Sequence, residues 1–353
     1  MEILITGGAG FVGSSLARQF KEKYPTACIT AFDNLKRRGS ELNLNEFRKL
    51  GINFVHGDVR SPDDLERVEG AFDLIIDASA EPSVHAGLDG SPNYLLQTNL
   101  VGTLNCLEFT RRRGGRILFL STSRVYSISS LQDLILTESD LRFEIGSDQN
   151  VSGVCERGIA EEFPTHLARS LYGATKLASE LFVQEYAALY GMPALINRCG
   201  VIAGPGQFGR TDQGVFTYWV TSHLFGRSLS YTGFGGTGKQ VRDLLHPEDL
   251  FDLLVRQWES TLSWDASIYN VGGGRDISVS MCELTELCRS VTGREVPLSF
   301  KPETSPVDIP LYVTDYSKVQ SAYGWTPRKG VTEILHETAC WAEKNRELLV
   351  GIC

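Results

Sequence analysis

The sequence predicts an α/β protein with a doubly wound parallel sheet and a smaller, mixed α/β domain. Short segments that are apolar throughout alternate with segments of helical spacing over the first half of the chain. Strands that are apolar on both faces are typical of a parallel sheet covered by helices on both sides. The length of 353 residues suits one large domain or two joined ones.

The predicted elements can be followed in order along the chain. Six apolar segments predict strands, and their sequences are EILIT, CITAFD, INFVHGD, FDLIIDASA, GRILFLSTS and MPALINRC. Helical spacing predicts helices over residues 14–24 and 93–113 and a third that begins with LYGATK. In the first of these helices we expect Leu16, Ala17 and Phe20 to face inward. After GPGQFG the glycine content rises and the alternation weakens, so we place the smaller domain there.

Composition and charge exclude several classes of protein. The net charge of −9 argues against a broad nucleic-acid interface. It is compatible with a local basic pocket that binds a small anion. The eight cysteines lack zinc-like spacing, so we expect reduced thiols and no metal site. The printed sequence enters a strand without a basic leader, and no apolar run approaches the roughly 20 residues of a membrane helix. We therefore expect a soluble, cytoplasmic protein that binds neither nucleic acid nor membrane.

Three glycines mark the turn between the first strand and the first helix. Gly7, Gly10 and Gly13 in TGGAGFVG would let the backbone, with Phe11 and Val12, approach a pyrophosphate closely. The phosphate would then meet the positive end of the helix. Because the motif follows a strand and opens a helix, it predicts a Rossmann-type dinucleotide-binding domain.

An acid stands where the second predicted strand ends. Asp33 suits the two ribose hydroxyls of NAD and would repel the 2′-phosphate of NADP. Arg37 and Arg38 follow closely and could hold such a phosphate, but the position of Asp33 favours NAD. Asp58 ends the third strand, where it would meet the adenine or cap a helix. We expect further cofactor contacts from Asn34, Arg37, Val59, Ala78, Ala80, Asn99 and Cys199.

A tyrosine and a lysine lie four residues apart at the head of the LYGATK helix. Residues with this spacing share one face of a helix, so Tyr172 and Lys176 can reach the same small volume. Such a pair alone is weak evidence for catalysis. The glycine loop and Asp33 stand at the positions expected of a dinucleotide-binding domain. Together with them, the pair predicts an active site.

Eight motifs in a fixed order resemble one known family. They are TGGAGFVG, FDNL, HGDVR, STSRVY, YGATK, GKQVRDLLHPEDL, YNVGGG and YGWTP. Together they resemble the extended short-chain dehydrogenases/reductases of the nucleotide-sugar epimerase and dehydratase group, over nearly the whole chain. The resemblance implies an NAD-binding Rossmann domain over residues 1–196 and a substrate-binding domain over 197–353, partly interleaved with the first.

The same resemblance implies the catalytic roles. Besides the tyrosine and the lysine, the family has a third catalytic residue, a serine or threonine, and this position corresponds to Thr122 in STSRVY. A free tyrosine, with a pKa near ~10, is a poor base at neutral pH, and the Lys176 ammonium would favour the phenolate. Tyr172 would then take a hydroxyl proton from the sugar, and Thr122 would hold the same oxygen. Lys176 would also bind the nicotinamide ribose.

Two departures from the family pattern bear on the reaction. Dehydratases of the group carry an acidic pair directly after the threonine, where this chain has Ser123 and Arg124. Elimination of water is therefore disfavoured, and an epimerase, which needs only the hydride-transfer residues, is favoured. Many relatives also carry asparagine and tyrosine in a stretch where this chain has Val201 and Ala203.

Substrate contacts are expected from the second domain. Relatives hold the diphosphate in the region of Arg242, whose alternative role is an ion pair with Asp243. The other candidates for the nucleotide and sugar pockets, besides Thr122, are Gln207, Arg210, Asp212 and Gln213. We expect His246 to cap and pack rather than react.

Within the group the resemblance points to enzymes that invert C2 of a CDP-linked dideoxyhexose. It lies in FDNLKRRGS, ERGIAEEFP, RTDQGVFTYWV and GKQVRDLLH. The alternatives are a UDP-sugar 4-epimerase, a reductase that consumes NAD(P)H, and a non-catalytic NAD-binding regulator. Relatives pair two helices across a two-fold axis, so a homodimer or homotetramer is expected through residues 93–113 and 173–190. The apolar positions concerned are Leu96, Leu100, Leu104, Leu177, Leu181 and Phe182.

Overall fold

The computed structural model describes residues 1–88, 90–210 and 213–350. The chain forms two compact units, each built from three separate segments. Unit 1 consists of Met1–Val125, Leu171–Arg198 and Phe251–Tyr269. Unit 2 consists of Tyr126–Ser170, Cys199–Leu250 and Asn270 to the end of the chain.

The strands and helices are numbered here in chain order. The strands are β1 Glu2–Thr6, β2 Cys28–Asp33, β3 Asn53–His56, β4 Leu74–Asp77, β5 Arg116–Thr122, β6 Leu136–Glu138, β7 Phe143–Ile145, β8 Val154–Cys155, β9 Gly158–Ile159, β10 Ala194–Cys199, β11 Val201–Ile202, β12 Leu229–Thr232, β13 Val241–Leu245, β14 Asp265–Val271, β15 Ser278–Ser280, β16 Leu298–Lys301 and β17 Leu311–Tyr312. The α-helices are α1 Phe11–Lys23, α2 Leu44–Leu50, α3 Pro62–Glu66, α4 Asn93–Leu96, α5 Gly102–Arg113, α6 Ile128–Gln132, α7 Leu171–Tyr190, α8 Val215–Phe225, α9 Pro247–Glu259, α10 Met281–Thr292, α11 Ser317–Tyr323, α12 Val331–Lys344 and α13 Arg346–Val350.

Unit 1 is organised around a seven-stranded sheet in the order β14-β10-β5-β4-β1-β2-β3. The pairs β1 with β2, β1 with β4, β2 with β3 and β4 with β5 are parallel. The chain reverses direction across the sheet between β1 and β4, which is the switch point where α/β proteins bind their ligands. This architecture confirms the predicted Rossmann-type, doubly wound fold.

The first helix shows why the sequence folds this way. Leu16, Ala17 and Phe20 of α1 are fully buried, as predicted, while lysines occupy its last turn. The helix begins at Phe11, three residues before the predicted start, so Gly13 lies inside its first turn. Phe20 packs edge-on against Phe251, with ring centroids 4.9 Å apart.

The predicted helix over 93–113 is interrupted in the structure. Helix α4 is followed by a π-helical turn over Gln97–Val101, and α5 follows at Gly102. A π-helical turn inserts one residue into the helical ladder and is often found at functional sites. Here it contains the buried Asn99. Hydrophobic spacing alone does not reveal such a turn.

Unit 2 has its own core and smaller sheets. Strand β13 pairs with β11, β15 and β17. Two antiparallel hairpins are formed by β6 with β7 and by β8 with β9, and β12 pairs with β16. Helices α8, α10 and α12 contribute to a core that contains Trp219, stacked 6.2 Å from Tyr231. Among the described residues, no helix has the length and apolar character needed to cross a membrane.

Candidate cofactor and catalytic site

The predicted glycine loop folds tightly on itself at the carboxyl end of β1. Gly7 has a φ of +63°, and a Cβ there would lie 2.8 Å from the carbonyl oxygen of Ala78. A Cβ on Gly13 would lie 2.2 Å from the carbonyl oxygen of Gly7. Side chains at these two positions would therefore push the loop apart. The close packing of the loop requires glycine at both positions.

The amino end of α1 offers a site for an anion. The first hydrogen bond of the helix runs from the Ser14 amide to the Gly10 carbonyl oxygen at 2.9 Å. The amides of Phe11, Val12 and Gly13 precede it and have no acceptor within the helix. The first turn has no acidic residue, and Gly10 provides no capping side chain. The chemistry of this turn fits the pyrophosphate of a dinucleotide.

Asp33 links the end of β2 to the glycine loop. Its Oδ2 accepts a hydrogen bond from the Ala9 amide at 3.1 Å, and its Oδ1 accepts one from the Leu35 amide at 2.7 Å. Burial raises the pKa of this carboxyl. Each oxygen has a second lone pair, so the side chain can still accept hydrogen bonds from ribose hydroxyls.

Asp58 belongs to a polar cluster that sequence reasoning found only in part. Its carboxylate accepts hydrogen bonds from Asn34 Nδ2 at 2.8 Å, Arg60 Nε at 3.0 Å and Arg60 Nη2 at 2.7 Å. Burial alone would raise its pKa, but the hydrogen bonds from Arg60 outweigh burial and lower it to about 2. The Arg60 guanidinium lies 4.7 Å from the ring centroid of Tyr94. The helix cap considered for Asp58 is supplied instead by Ser61.

The π-helical turn holds the loop that follows β4. Asn99 is fully buried, and its amide donates to the Glu81 carbonyl at 3.0 Å and accepts from the Glu81 amide at 2.7 Å. The same amide nitrogen lies 3.3 Å from Oγ1 of Thr175 in α7. Asn99 thus ties the loop containing Ala78 and Ala80 to the helix that carries Tyr172 and Lys176.

A buried carboxylate stabilises the sheet edge beside the glycine loop. Asp77, at the end of β4, accepts hydrogen bonds from the hydroxyls of Thr6 at 2.8 Å, Ser79 at 2.7 Å and Thr103 at 2.9 Å. Sequence reasoning missed this cluster, although an acid inside an apolar strand is a signal of it. Val59, another predicted cofactor residue, is buried and packs against Gly102.

The three predicted catalytic residues lie on neighbouring elements of unit 1. Thr122 ends β5, is 8% exposed, and accepts a hydrogen bond from the Arg124 amide at 3.2 Å. Tyr172 lies half-buried in the first turn of α7. Lys176 is 2% exposed, and its Nζ donates to the Leu120 carbonyl oxygen at 3.0 Å. The lysine therefore ties α7 to β5 two residues before Thr122.

A second buried charge fixes the same helix one turn further on. Glu180 and Arg198 form a buried ion pair, with Oε2 and Nη2 2.7 Å apart and side chains 1% and 6% exposed. The Ser121 hydroxyl donates to Oε1 of Glu180 at 2.5 Å. Tyr172, Lys176 and Glu180 follow each other at four-residue intervals, so they share one face of α7. This ion pair was not predicted, because it joins α7 to a strand residue 18 positions further along the chain.

Apart from Thr122, the predicted substrate residues that the structure describes lie in unit 2. Gln207 is buried, and its amide bonds to the Ile202 carbonyl oxygen at 3.0 Å and the Thr217 hydroxyl at 2.7 Å. Arg210 and Gln213 form a short antiparallel bridge, with Arg210 exposed. Asp212 lies outside the described residues. Cys199, predicted to contact the cofactor, is buried at the end of β10.

Arg242 is held by acceptors of unit 2. Its Nη2 donates to Asp308 Oδ1 at 2.9 Å and to the Ile309 carbonyl oxygen at 2.7 Å. The ion-pair partner considered from the sequence, Asp243, is wrong, because Asp243 is fully buried and accepts the amides of Gly274 and Thr314. Alternating side chains of a strand point to opposite faces, so neighbours such as Arg242 and Asp243 rarely pair.

His246 heads a cluster of charges in unit 2. Its Nδ1 accepts a hydrogen bond from the Glu248 amide at 3.2 Å and so caps α9. Its Nε2 lies 3.2 Å from Glu337 Oε2, and together with Glu248 these groups have metal-like spacing. The Lys329 ammonium, however, lies 2.5 Å from Glu337 and 3.3 Å from Glu248. The lysine supplies the positive charge that a metal ion would bring.

Fold and site together define a class of protein. A Rossmann-type sheet with a glycine loop, followed by a Tyr-x-x-x-Lys helix against the end of β5, defines an extended short-chain dehydrogenase/reductase. Residues 3–272 match the NAD dependent epimerase/dehydratase family, and the chain belongs to that family. The predicted family, the enzymatic nature of the protein and its NAD cofactor are thereby confirmed.

Named relatives cover almost the whole chain. The chain is 29% identical to the CDP-paratose 2-epimerase of Salmonella typhi, over 97% of this chain and 99% of that protein. It is 28% identical to the UDP-glucose 4-epimerase of Corynebacterium glutamicum, over 97% and 95% of the two chains. Its fold is similar to that of the UDP-glucose 4-epimerase of Thermus thermophilus solved with NAD, with a TM-score of 0.77, 25% identity, and 97% and 99% of the chains covered.

Proposed function

We propose that the protein is an NAD-dependent nucleotide-sugar epimerase that inverts C2 of a CDP-linked dideoxyhexose through a transient keto-sugar. The observation that carries the proposal is the pair Tyr172 and Lys176 on the face of α7 that is bonded to the end of β5. Thr122 ends that strand. Inversion through a ketone needs no general acid or base other than these three residues.

The residues of unit 1 fit the parts of NAD. The amides at the amino end of α1 would bind the pyrophosphate, and Asp33 would accept the ribose hydroxyls. Lys176 would bind the hydroxyls of the nicotinamide ribose. When bound, NAD supplies the acceptor and donor of hydride. The further contacts that we propose come from Gly7, Gly10, Gly13, Asn34, Arg37, Asp58, Val59, Ala78, Ala80, Asn99, Tyr172 and Cys199.

Tyr172 acts as the base and later as the acid. Its phenolate, stabilised by the Lys176 ammonium, takes the proton of the sugar hydroxyl as that carbon becomes a ketone. Thr122 hydrogen-bonds the same oxygen and so fixes its distance from Tyr172. After the ring has turned over, Tyr172 returns the proton to the oxygen. One residue therefore serves both half-reactions, and no net redox partner is needed.

The residues after Thr122 separate epimerisation from dehydration. Elimination of water across two ring carbons needs a general acid and a base beside the ketone. Ser123 is a buried hydroxyl and Arg124 a half-buried cation, and neither is a carboxylate. This difference favours an epimerase over a dehydratase.

The sugar and its nucleotide are proposed from likeness to the Salmonella typhi CDP-paratose 2-epimerase. We propose that Arg242, Gln207, Arg210 and Gln213 contact the substrate, with Arg242 on the diphosphate. Arg242 already forms an ion pair with Asp308. To bind the phosphate, it would have to use its remaining N–H donors or replace Asp308 by the phosphate. A UDP-sugar 4-epimerase is the second candidate, since the Corynebacterium glutamicum relative is similar over as much of the chain.

The test is conversion of candidate sugars with NAD-loaded protein. CDP-paratose and UDP-glucose are incubated separately, and products and NADH are measured by mass, NMR and absorbance. We expect CDP-paratose to give its C2 epimer with no accumulation of NADH and no loss of water. Inversion of UDP-glucose alone would support the second candidate. A parallel reaction is supplied with NADH, and its stoichiometric consumption there would contradict an epimerase. A product lighter by one water would contradict it as well.

We also propose a cytoplasmic location. Each described cysteine is a free thiol. Unpaired thiols are typical of a reducing compartment. Fractionation of cells that express the protein at its native level would test the location, and recovery in a secreted or membrane fraction would contradict it.

A further inference from the structure

Unit 1 contains an open cavity of about 540 Å³ at the edge of the sheet opposite to the glycine loop. Asp73, Arg116 and Pro193 line it, and these residues stand at the beginnings of β4, β5 and β10. Thr122 lies at the far end of β5, which has seven residues and spans about 20 Å. The cavity is therefore separate from the proposed active site.

Arg116 supplies the cavity with positive charge and hydrogen-bond donors. Its guanidinium carbon lies 5.1 Å from the ring centroid of Trp258 and 5.4 Å from that of Trp264. Among the described residues, no carboxylate or carbonyl oxygen accepts a hydrogen bond from this guanidinium. An aromatic ring does not replace the oxygen acceptors that guanidinium N–H groups bind in hydrogen bonds. Arg116 thus keeps several donors and an uncompensated charge at the cavity.

The other charges at the cavity are already compensated. Arg111 also lines it, but forms an ion pair with Glu108 at 2.6 Å. Asp73 accepts the Glu2 amide at 2.8 Å and lies 3.8 Å from the amino terminus. The net attraction of the cavity for an anion therefore comes from Arg116.

Aromatic surface stands beside this cation. Trp258 and Tyr190 both line the cavity. Gly114 lines it as well, and a Cβ built there meets no atom within 4 Å, which leaves room for a ligand. A planar ring on the ligand could pack against an aromatic side chain while its anionic group reaches the donors of Arg116.

We infer that this cavity is a second binding site, for a small molecule that carries a phosphate or carboxylate on a planar ring. Arg116 binds the oxyanion through its in-plane N–H groups. Trp258 and Tyr190 contact the ring. The site is independent of the proposed epimerase reaction, because none of the residues assigned to catalysis lines it.

Calorimetric titration of the NAD-loaded protein tests the inference. The compounds titrated are phenyl phosphate, benzoate, inorganic phosphate and benzyl alcohol, so that anion and ring are varied separately. We expect at least one of the two ring-bearing anions to bind in a saturable manner and more tightly than either inorganic phosphate or benzyl alcohol. Arg116→Met should weaken that binding by about tenfold or more, because a charged hydrogen-bond donor is lost.

Arg112→Met is the matched control. Arg112 stands at the same end of α5, pairs with Glu66, and does not line the cavity. Thermal melting checks folding, and if Arg116→Met is unstable, Arg116→Gln provides the same comparison. Equal affinity in the Arg116 variants and in Arg112→Met would overturn the inference, as would the absence of saturable binding of both ring-bearing anions. Equal binding of phenyl phosphate and inorganic phosphate would overturn the ring contact.

Discussion

The positively charged side chain of Lys176 is almost completely buried in unit 1. Burial of an ammonium is costly unless other groups replace its water. The Leu120 carbonyl oxygen accepts one of its hydrogens, and the ring of Phe119 lies 4.5 Å from Nζ. These contacts hold the lysine in place before any ligand binds. A preorganised ammonium is what a neighbouring tyrosine base requires.

Replacement of the tyrosine hydroxyl should stop the reaction and leave the fold intact. We expect Tyr172→Phe to lower kcat by at least about a hundredfold, since it removes the acid–base group alone. Its NAD affinity, measured by calorimetry, should stay within a few-fold of wild type. Lys176→Met should weaken both turnover and NAD binding. A Tyr172→Phe enzyme with near wild-type kcat would remove this residue from the mechanism.

The contacts of Asp58 predict a pH dependence of stability. Its pKa is lowered from 3.8 to about 2 in the fold, so the carboxylate stabilises the fold above about pH 4 and this contribution is lost as pH falls toward 2. Asp58→Asn should lower the free energy of unfolding at neutral pH by about 1 kcal/mol, a figure reduced for solvent screening. The difference from wild type in urea denaturation should shrink as the solution is acidified.

The exposed Glu69→Gln serves as the control for that experiment. It should match wild type at every pH. A difference between Asp58→Asn and wild type that stays constant or grows on acidification would contradict the proposed role of the Arg60 contact.

At the scale of elements, helix α7 is fastened to the sheet by two buried charges. Lys176 bonds β5, and Glu180 bonds both Ser121 of β5 and Arg198 of β10. Removal of one partner of a buried ion pair leaves the other charge uncompensated. The helix that carries Tyr172 therefore depends on Glu180 for its position.

We expect Glu180→Gln to lower the free energy of unfolding by about 3–5 kcal/mol. The double variant Glu180→Gln/Arg198→Leu should recover part of that loss, because no unpaired charge remains. Glu185→Gln, on the exposed side of the same helix, is the control and should be neutral. Chemical denaturation measures all three. A Glu180→Gln protein as stable as Glu185→Gln would show that the pair does not stabilise the helix.

The same elements show what the sequence could predict. The Rossmann-type sheet and α1 follow from local patterns, namely apolar strands, helical spacing and glycines at a turn. The π-helical turn around Asn99 and the pair of Glu180 with Arg198 depend on contacts between segments far apart in sequence. The partner of Arg242 was not foreseen for the same reason, since Asp308 lies 66 residues away.

At the scale of the whole molecule, exposed apolar side chains on α7 support the proposed homo-oligomer. Leu181 is 58% exposed, Phe182 41% and Leu189 71%. Large apolar groups grouped on one helix are typical of an interface. The resemblance to the family implies pairing of the helices over 93–113 and 173–190 across a two-fold axis.

Sedimentation should show a dimer or tetramer at micromolar concentration. The double variant Leu181→Glu/Leu189→Glu should be monomeric, because charges would be buried at the interface. The variant Glu22→Lys, on the exposed surface of α1, controls for a change in charge. A monomeric wild type would contradict the proposed assembly, and an unchanged oligomer in the double variant would place its interface elsewhere.

The central claim is that the inverted carbon loses a hydride and regains the same hydrogen. The measurement is conversion of the substrate in deuterated water, followed by NMR of the product at that carbon. We expect the carbon to keep its original hydrogen, because Tyr172 exchanges protons only with the oxygen. Deprotonation beside a carbonyl would instead exchange the carbon-bound hydrogen with solvent. Deuterium at the inverted carbon would contradict the transient-ketone mechanism, whichever sugar the enzyme binds.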